Sequence, residues 1–127
     1  MELLAGKYRN QCWNDGSIFF EEETFGYIEP TIEKCVESYD HYAFTEIAAP
    51  VLQEIVKTLR GIKSLLEQAH SVEELKEEVG FFFADSKEQF SESFQENKMA
   101  LSRLINELSE WMLTKGDEHG SITILGL

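Results

Sequence analysis

The sequence predicts an α+β domain: a small, mostly antiparallel sheet, made of an N-terminal hairpin and a C-terminal strand, packed against two long amphipathic helices and some short ones. Three observations predict it. Aromatic and apolar runs flank an Asn14-Asp15-Gly16 turn, two long segments repeat apolar residues in steps of three and four, and residues 121–127 read as a strand. That last strand has no local mate, so it is expected to pair with the hairpin.

The elements follow in order. Asp-Gly tolerates the positive φ angles of tight hairpins, so the turn separates an expected strand over residues 7–13 from another over 17–23. Residues 24–29 are expected to add a third short strand. Pro30 suits the first turn of a helix, where its missing N–H is not needed. Ile32, Cys35, Val36 and Tyr39 follow at helical spacing, predicting a short helix to about Asp40. Residues 41–49 fit a loop, a strand or a distorted helical turn.

Pro50 opens the next helix. Leu52, Ile55, Leu59, Ile62 and Leu66 form one apolar stripe of about twenty residues, weakened at Gly61. Ser71-Val72-Glu73-Glu74 has the form of a capping box and starts a short helix ending at Gly80. Asp85-Ser86-Lys87-Glu88 resembles a second cap. From it a single long helix is expected, with Phe90, Phe94, Leu101, Leu104, Leu108 and Trp111 on one face and Lys115-Gly116 at its close.

A chain of 127 residues with 43% hydrophobic content is expected to form one domain over residues 1–127 with a single core. Against 24 acidic residues stand 11 basic ones, for a net charge of −13. The charge is spread evenly: residues 1–30, 31–80 and 81–127 have nets of −4, −5 and −4. Such a surface repels nucleic acid and anionic lipid and attracts basic proteins, so direct nucleic-acid binding is not expected. The longest apolar run spans residues 47–52 and contains Pro50, far short of a membrane span. The N-terminus lacks the form of a signal peptide. Cys12 and Cys35 lack any paired spacing, and a reduced, cytoplasmic protein is the simpler expectation.

Catalysis finds little support in the residues, and a non-enzymatic role is expected. His41, in Tyr39-Asp40-His41-Tyr42, has the neighbours of a proton-transfer group but reads more simply as part of a surface loop with aromatic anchors. His70 precedes Glu73, Glu74 and Glu77, yet one histidine with flexible carboxylates does not define a metal site. Ala69-His70-Ser71 opens like a histidine phosphotransfer motif, but Val72-Glu73-Glu74 stands where that motif has Leu-Lys-Gly. No phosphate-cradling loop, nucleophile elbow or dinucleotide fingerprint is present, so neither a cofactor nor a metal is expected.

Binding is the better supported role, and three surfaces are candidates. Asp85, Glu88, Glu92 and Glu96 form an acidic ladder along the expected C-terminal helix, with steps of about 5–6 Å. Asp15, Glu21, Glu22, Glu23, Tyr27 and Glu29 form a second group, and Tyr39, Asp40, His41 and Tyr42 a third. Acid beside tyrosine suits an interface, because the ring supplies contact area while the carboxylate pairs with a cation. The run Phe81-Phe82-Phe83 is expected to belong mainly to the core.

By its small size, acidic charge and α+β make-up, the whole chain resembles the immunity proteins of bacterial toxin–immunity pairs. The resemblance is to that class rather than to a particular family within it. It implies a basic protein partner, a cognate toxin domain such as a nuclease, whose active site is occluded. Two other classes of small acidic protein share this look: nucleic-acid mimics that act against restriction or defence systems, and secretion chaperones.

Overall fold

The computed structural model describes residues 1–10 and 16–126. Its order is β1 (Glu2–Ala5), β2 (Ile18–Phe19), α1 (Glu22–Gly26), α2 (Glu29–Cys35), β3 (Phe44–Ala48), α3 (Ala49–Gln68), a 3-10 turn (Val72–Leu75), α4 (Ser86–Glu92), α5 (Phe94–His119) and β4 (Ser121–Leu125). The fold is α+β, with a four-stranded sheet in the order β2-β1-β4-β3 and every neighbouring pair antiparallel. The C-terminal strand does pair with the N-terminal one, Leu3 lying opposite Ile124.

Why these segments take these forms is largely a matter of period. Thr45 and Ile47 of β3 are buried while Phe44, Glu46 and Ala48 face out, the alternation of a half-buried strand. In α3, Leu52, Ile55, Val56, Leu59, Ile62 and Leu66 are buried and form the stripe expected of them. α5 sets Leu101, Ile105, Leu108 and Met112 against it. Leu3, Ile47, Ile122 and Ile124 complete the core from one face of the sheet. On the other face Tyr8 meets Phe44 edge-on at 4.8 Å, so the chain after β1 turns back across it. All of β4 is consequently buried, on both faces.

Several expectations need correction. The first described strand is residues 2–5: Gly6, at φ 78°, ends it, Leu3 and Leu4 supply its buried pair, residues 7–10 form no strand, and residues 11–13 of the expected one lie outside the described residues. The expected Asn14-Asp15-Gly16 turn lies outside the described residues except for Gly16. The second strand keeps only Ile18 and Phe19. Residues 24–29 are not a strand: the segment is α1 running into α2, with Glu22 and Glu23 in the first turn, where carboxylates favour the helix dipole, and Phe25, Ile28 and Ile32 buried at helical spacing. Pro30 does lie in the first turn of α2, but that helix stops at Cys35, because Val36 turns extended.

The expected long C-terminal helix is two. Ser93, at φ −123° and ψ 49°, separates α4 from α5. The break frees the Phe90 carbonyl, which accepts the Asn97 side-chain N–H at 3.0 Å, so the lost helical bond is replaced. At the far end α5 runs past Lys115 to His119 and is closed by Gly120 in the left-handed conformation. Gly116 is instead inside the helix and buried, where an added Cβ would sit 2.9 Å from Leu52 Cδ1 and require that side chain to shift.

Candidate functional site

Two glycines set the site's geometry. The segment after the 3-10 turn crosses the α1–α2 junction at backbone contact, where Gly80 donates its N–H to the Tyr27 carbonyl at 3.1 Å. A Cβ on Gly80 would collide with the Gly26 carbonyl oxygen, and one on Gly26 would lie 2.9 Å from Phe82 Cβ. Only glycine permits so close a crossing. The third fastening is polar. Ser86, buried at the start of α4, donates its hydroxyl to Glu23 of α1 at 2.8 Å and accepts the Phe83 N–H at 3.1 Å.

This crossing sorts the three phenylalanines. Phe81 turns inward, packing edge-on against Tyr27 and Phe90 at ring distances of 6.0 and 5.5 Å. Phe82 and Phe83 turn outward and stay 37% and 49% exposed. The expectation that the run belongs mainly to the core is correct for Phe81 alone. Phe81 is held inward by its ring contacts with Tyr27 and Phe90, whereas Phe82 stacks on His41 and Phe83 meets Phe82 edge-on.

Beneath Phe82 lies His41, its ring stacked on the phenylalanine at 5.5 Å and 24°. His41 Nδ1 is 2.6 Å from Glu29 Oε2, and the Tyr39 hydroxyl donates to that same oxygen at 3.0 Å. The other ring nitrogen, Nε2, is buried, makes no hydrogen bond among the described residues, and lies 3.8 Å from Glu22 Oε1. The imidazole thus has a carboxylate toward each nitrogen. Burial, reinforced by the negative charge of Glu29, pushes the Tyr39 hydroxyl well above the usual tyrosine range. Tyr42 meets the His41 ring edge-on at 4.9 Å and is 71% exposed, its N–H held by Asp40 Oδ1 at 2.9 Å. The loop is closed from below by Gly126, which donates to the Ala43 carbonyl at 3.1 Å.

The second and third candidate groups therefore converge. Glu22, Glu29, Tyr39, Asp40 and Tyr42 surround His41, and Glu21 is exposed beside them at the N-cap of α1. Glu23 points to Ser86 instead. Tyr27 is half-buried in the aromatic cluster with Phe81 and Phe90, its hydroxyl raised by burial and by Glu23. Asp15 lies outside the described residues.

The acidic ladder is exposed but not continuous. Asp85 stands at the N-cap position of α4 without a side-chain capping bond and accepts from the Gln89 side chain at 3.0 Å, Glu88 and Glu92 belong to α4, and Glu96 belongs to α5 beyond the Ser93 break. Only its Asp85 end adjoins the site, through Ser86 and Phe83. Phe82 and Phe83 were not among the residues the sequence singled out for binding. Gly80 ahead of three phenylalanines was the one local sign.

Among the described residues no group of three histidine, cysteine or acidic side chains is placed to hold a metal. A hollow of about 650 Å³ between the start of α3 and the end of α5 includes no histidine or cysteine in its lining. Cys35 is half-buried with Sγ 3.8 Å from the Thr58 hydroxyl, while Cys12 lies outside the described residues. No helix among the described residues is long and apolar enough to cross a membrane. No family model, curated protein or solved structure matches the chain.

Proposed function

We propose that the protein is an acidic protein-binding inhibitor, an immunity protein that neutralises a basic toxin domain, and that it binds through the face around His41. One observation supports this above the rest: three exposed aromatic rings, Tyr42, Phe82 and Phe83, stand beside Glu21, Glu22 and Asp40 on a chain of net charge −13. Exposed aromatics at the centre of a patch supply most of the binding energy of an interface, and the flanking carboxylates steer a basic partner toward it. In a toxin that acts on nucleic acid, these carboxylates would occupy the cleft that takes substrate phosphates. Occlusion, fast association and slow dissociation then follow from one surface.

The test is growth of bacteria expressing a basic toxin domain encoded beside this chain, with and without the protein. Rescue by the wild type, and its loss on Tyr42→Ala with Phe82→Ala, is the expected outcome. Unchanged toxicity in the presence of the folded wild type overturns the reading. A nucleic-acid mimic would act instead through Asp85, Glu88, Glu92 and Glu96, so rescue lost on charge removal there but kept in the aromatic variant favours that alternative.

A further inference from the structure

The aromatic face has a chemical preference, and we infer that it takes an arginine side chain of the partner in preference to a lysine or an apolar plug. This inference rests on the reading above and names the group that docks. Phe82 has one ring face covered by His41 and remains 37% exposed, and Phe83 stands at 88° to it with ring centres 5.0 Å apart. The two rings make a right-angled corner open to solvent. A guanidinium is flat, weakly hydrated and stacks on such a ring, whereas an ammonium is a compact, strongly hydrated charge with no plane to match.

The charge at this corner is unspent. Glu22 is part-exposed, and its Oε1 lies 3.8 Å from Nε2 of the His41 ring. No lysine or arginine among the described residues forms an ion pair with Glu21, Glu22 or Asp40. An apolar plug would strip water from these carboxylates and leave them unpaired, which is strongly unfavourable. A guanidinium offers five N–H donors in a fixed fork, so it can pair with a carboxylate edge-on while its face covers Phe82. The corner is also preset: the Gly26–Gly80 crossing and the Glu23–Ser86–Phe83 chain hold it before any partner arrives, which lowers the ordering cost of binding.

The probes are two short synthetic peptides of equal charge, alternating glycine with arginine or glycine with lysine, titrated at physiological salt into isotope-labelled protein and followed by backbone and aromatic chemical shifts. The arginine peptide is expected to bind about 5-fold more tightly, the value of one cation–π contact. Its shifts should centre on Glu22, Tyr42, Phe82 and Phe83. In Phe82→Ala/Phe83→Ala and in Glu22→Gln the preference should fall to parity while the weak charge-driven binding persists. Equal affinities in the wild type, no detectable binding of either peptide, or a preference that survives both variants overturns the inference. Growth rescue together with equal peptide affinities overturns the arginine preference alone. A clear arginine preference without rescue overturns the inhibitory role and leaves the arginine site standing.

Discussion

The packing of α3 on α5 and the crossing of residues 80–83 over α1–α2 are held by different physics. Between the long helices the contact is mainly apolar and redundant: Leu59, Leu66, Ile105 and Leu108 are each at most 1% exposed, and the Lys98 ammonium of α5 adds a bond to the Ala69 carbonyl at the end of α3. At the crossing the contact is narrow, made through glycine backbone, one hydroxyl and a few carboxylates. The first arrangement gives stability through buried area, which tolerates small shifts. The second gives position, because hydrogen bonds and backbone contact fail when atoms move by a few tenths of an ångström. Exposed aromatics are tolerable only on a support of the second kind, since nothing in the burial of Phe82 or Phe83 holds them in place.

Three substitutions sharpen this contrast. Ile105→Ala leaves a cavity between the helices, and equilibrium urea unfolding should show a loss of about 2–5 kcal/mol. The shifts of His41 and Phe82 in the folded variant should scarcely move. Gly80→Ala drives a methyl into the Gly26 carbonyl and the Pro30 ring. Its expected loss is about 1–3 kcal/mol, smaller than the cavity, but with large shifts at His41, Phe82 and Phe83. If Gly80→Ala left those resonances in place, the crossing would not be what positions the face.

Tyr39→Phe is the mildest. It removes one hydroxyl bond to Glu29 at a partly exposed site, for at most about 1 kcal/mol near neutral pH. Its signature is in alkali. The Tyr39 hydroxyl ionises at higher pH in the folded chain than the 10.0 of free tyrosine, so its contribution is fully present below about pH 10 and is lost as pH rises from there toward the folded-state value. Tyr39→Phe lacks that contribution, so the stability gap between the proteins should close above pH 10. A constant gap across that range would mean that the hydroxyl does not face Glu29 as described.

Legibility in the sequence follows the same division. The α3 stripe, the placing of Pro30 and Pro50 in first turns, and the pairing of the C-terminal strand with the N-terminal one were all readable, since period and proline geometry are local. The α1–α2 region was misread because its acidic and aromatic run has mixed periodicity, and the burial of Phe25, Ile28 and Ile32 decides for helix. The Ser93 break was hidden because the apolar spacing continues through it, while the Asn97 bond to the Phe90 carbonyl that offsets it involves a side chain seven residues away. At the site, acid beside tyrosine drew attention to Glu22, Glu29, Tyr39, Asp40 and Tyr42, but nothing in the sequence said that they meet around His41.

By itself the sequence determined an α+β fold, a negative surface and two apolar helix faces, because composition and period act within a few residues of chain. Tertiary structure alone decided that Phe82 faces solvent over His41 while Phe81 faces the core, and that Glu22 and Glu29 share one imidazole. Those choices depend on two glycines, Gly26 and Gly80, meeting across more than fifty residues of sequence, and contact between distant backbone atoms leaves no periodic trace in the residues that make it.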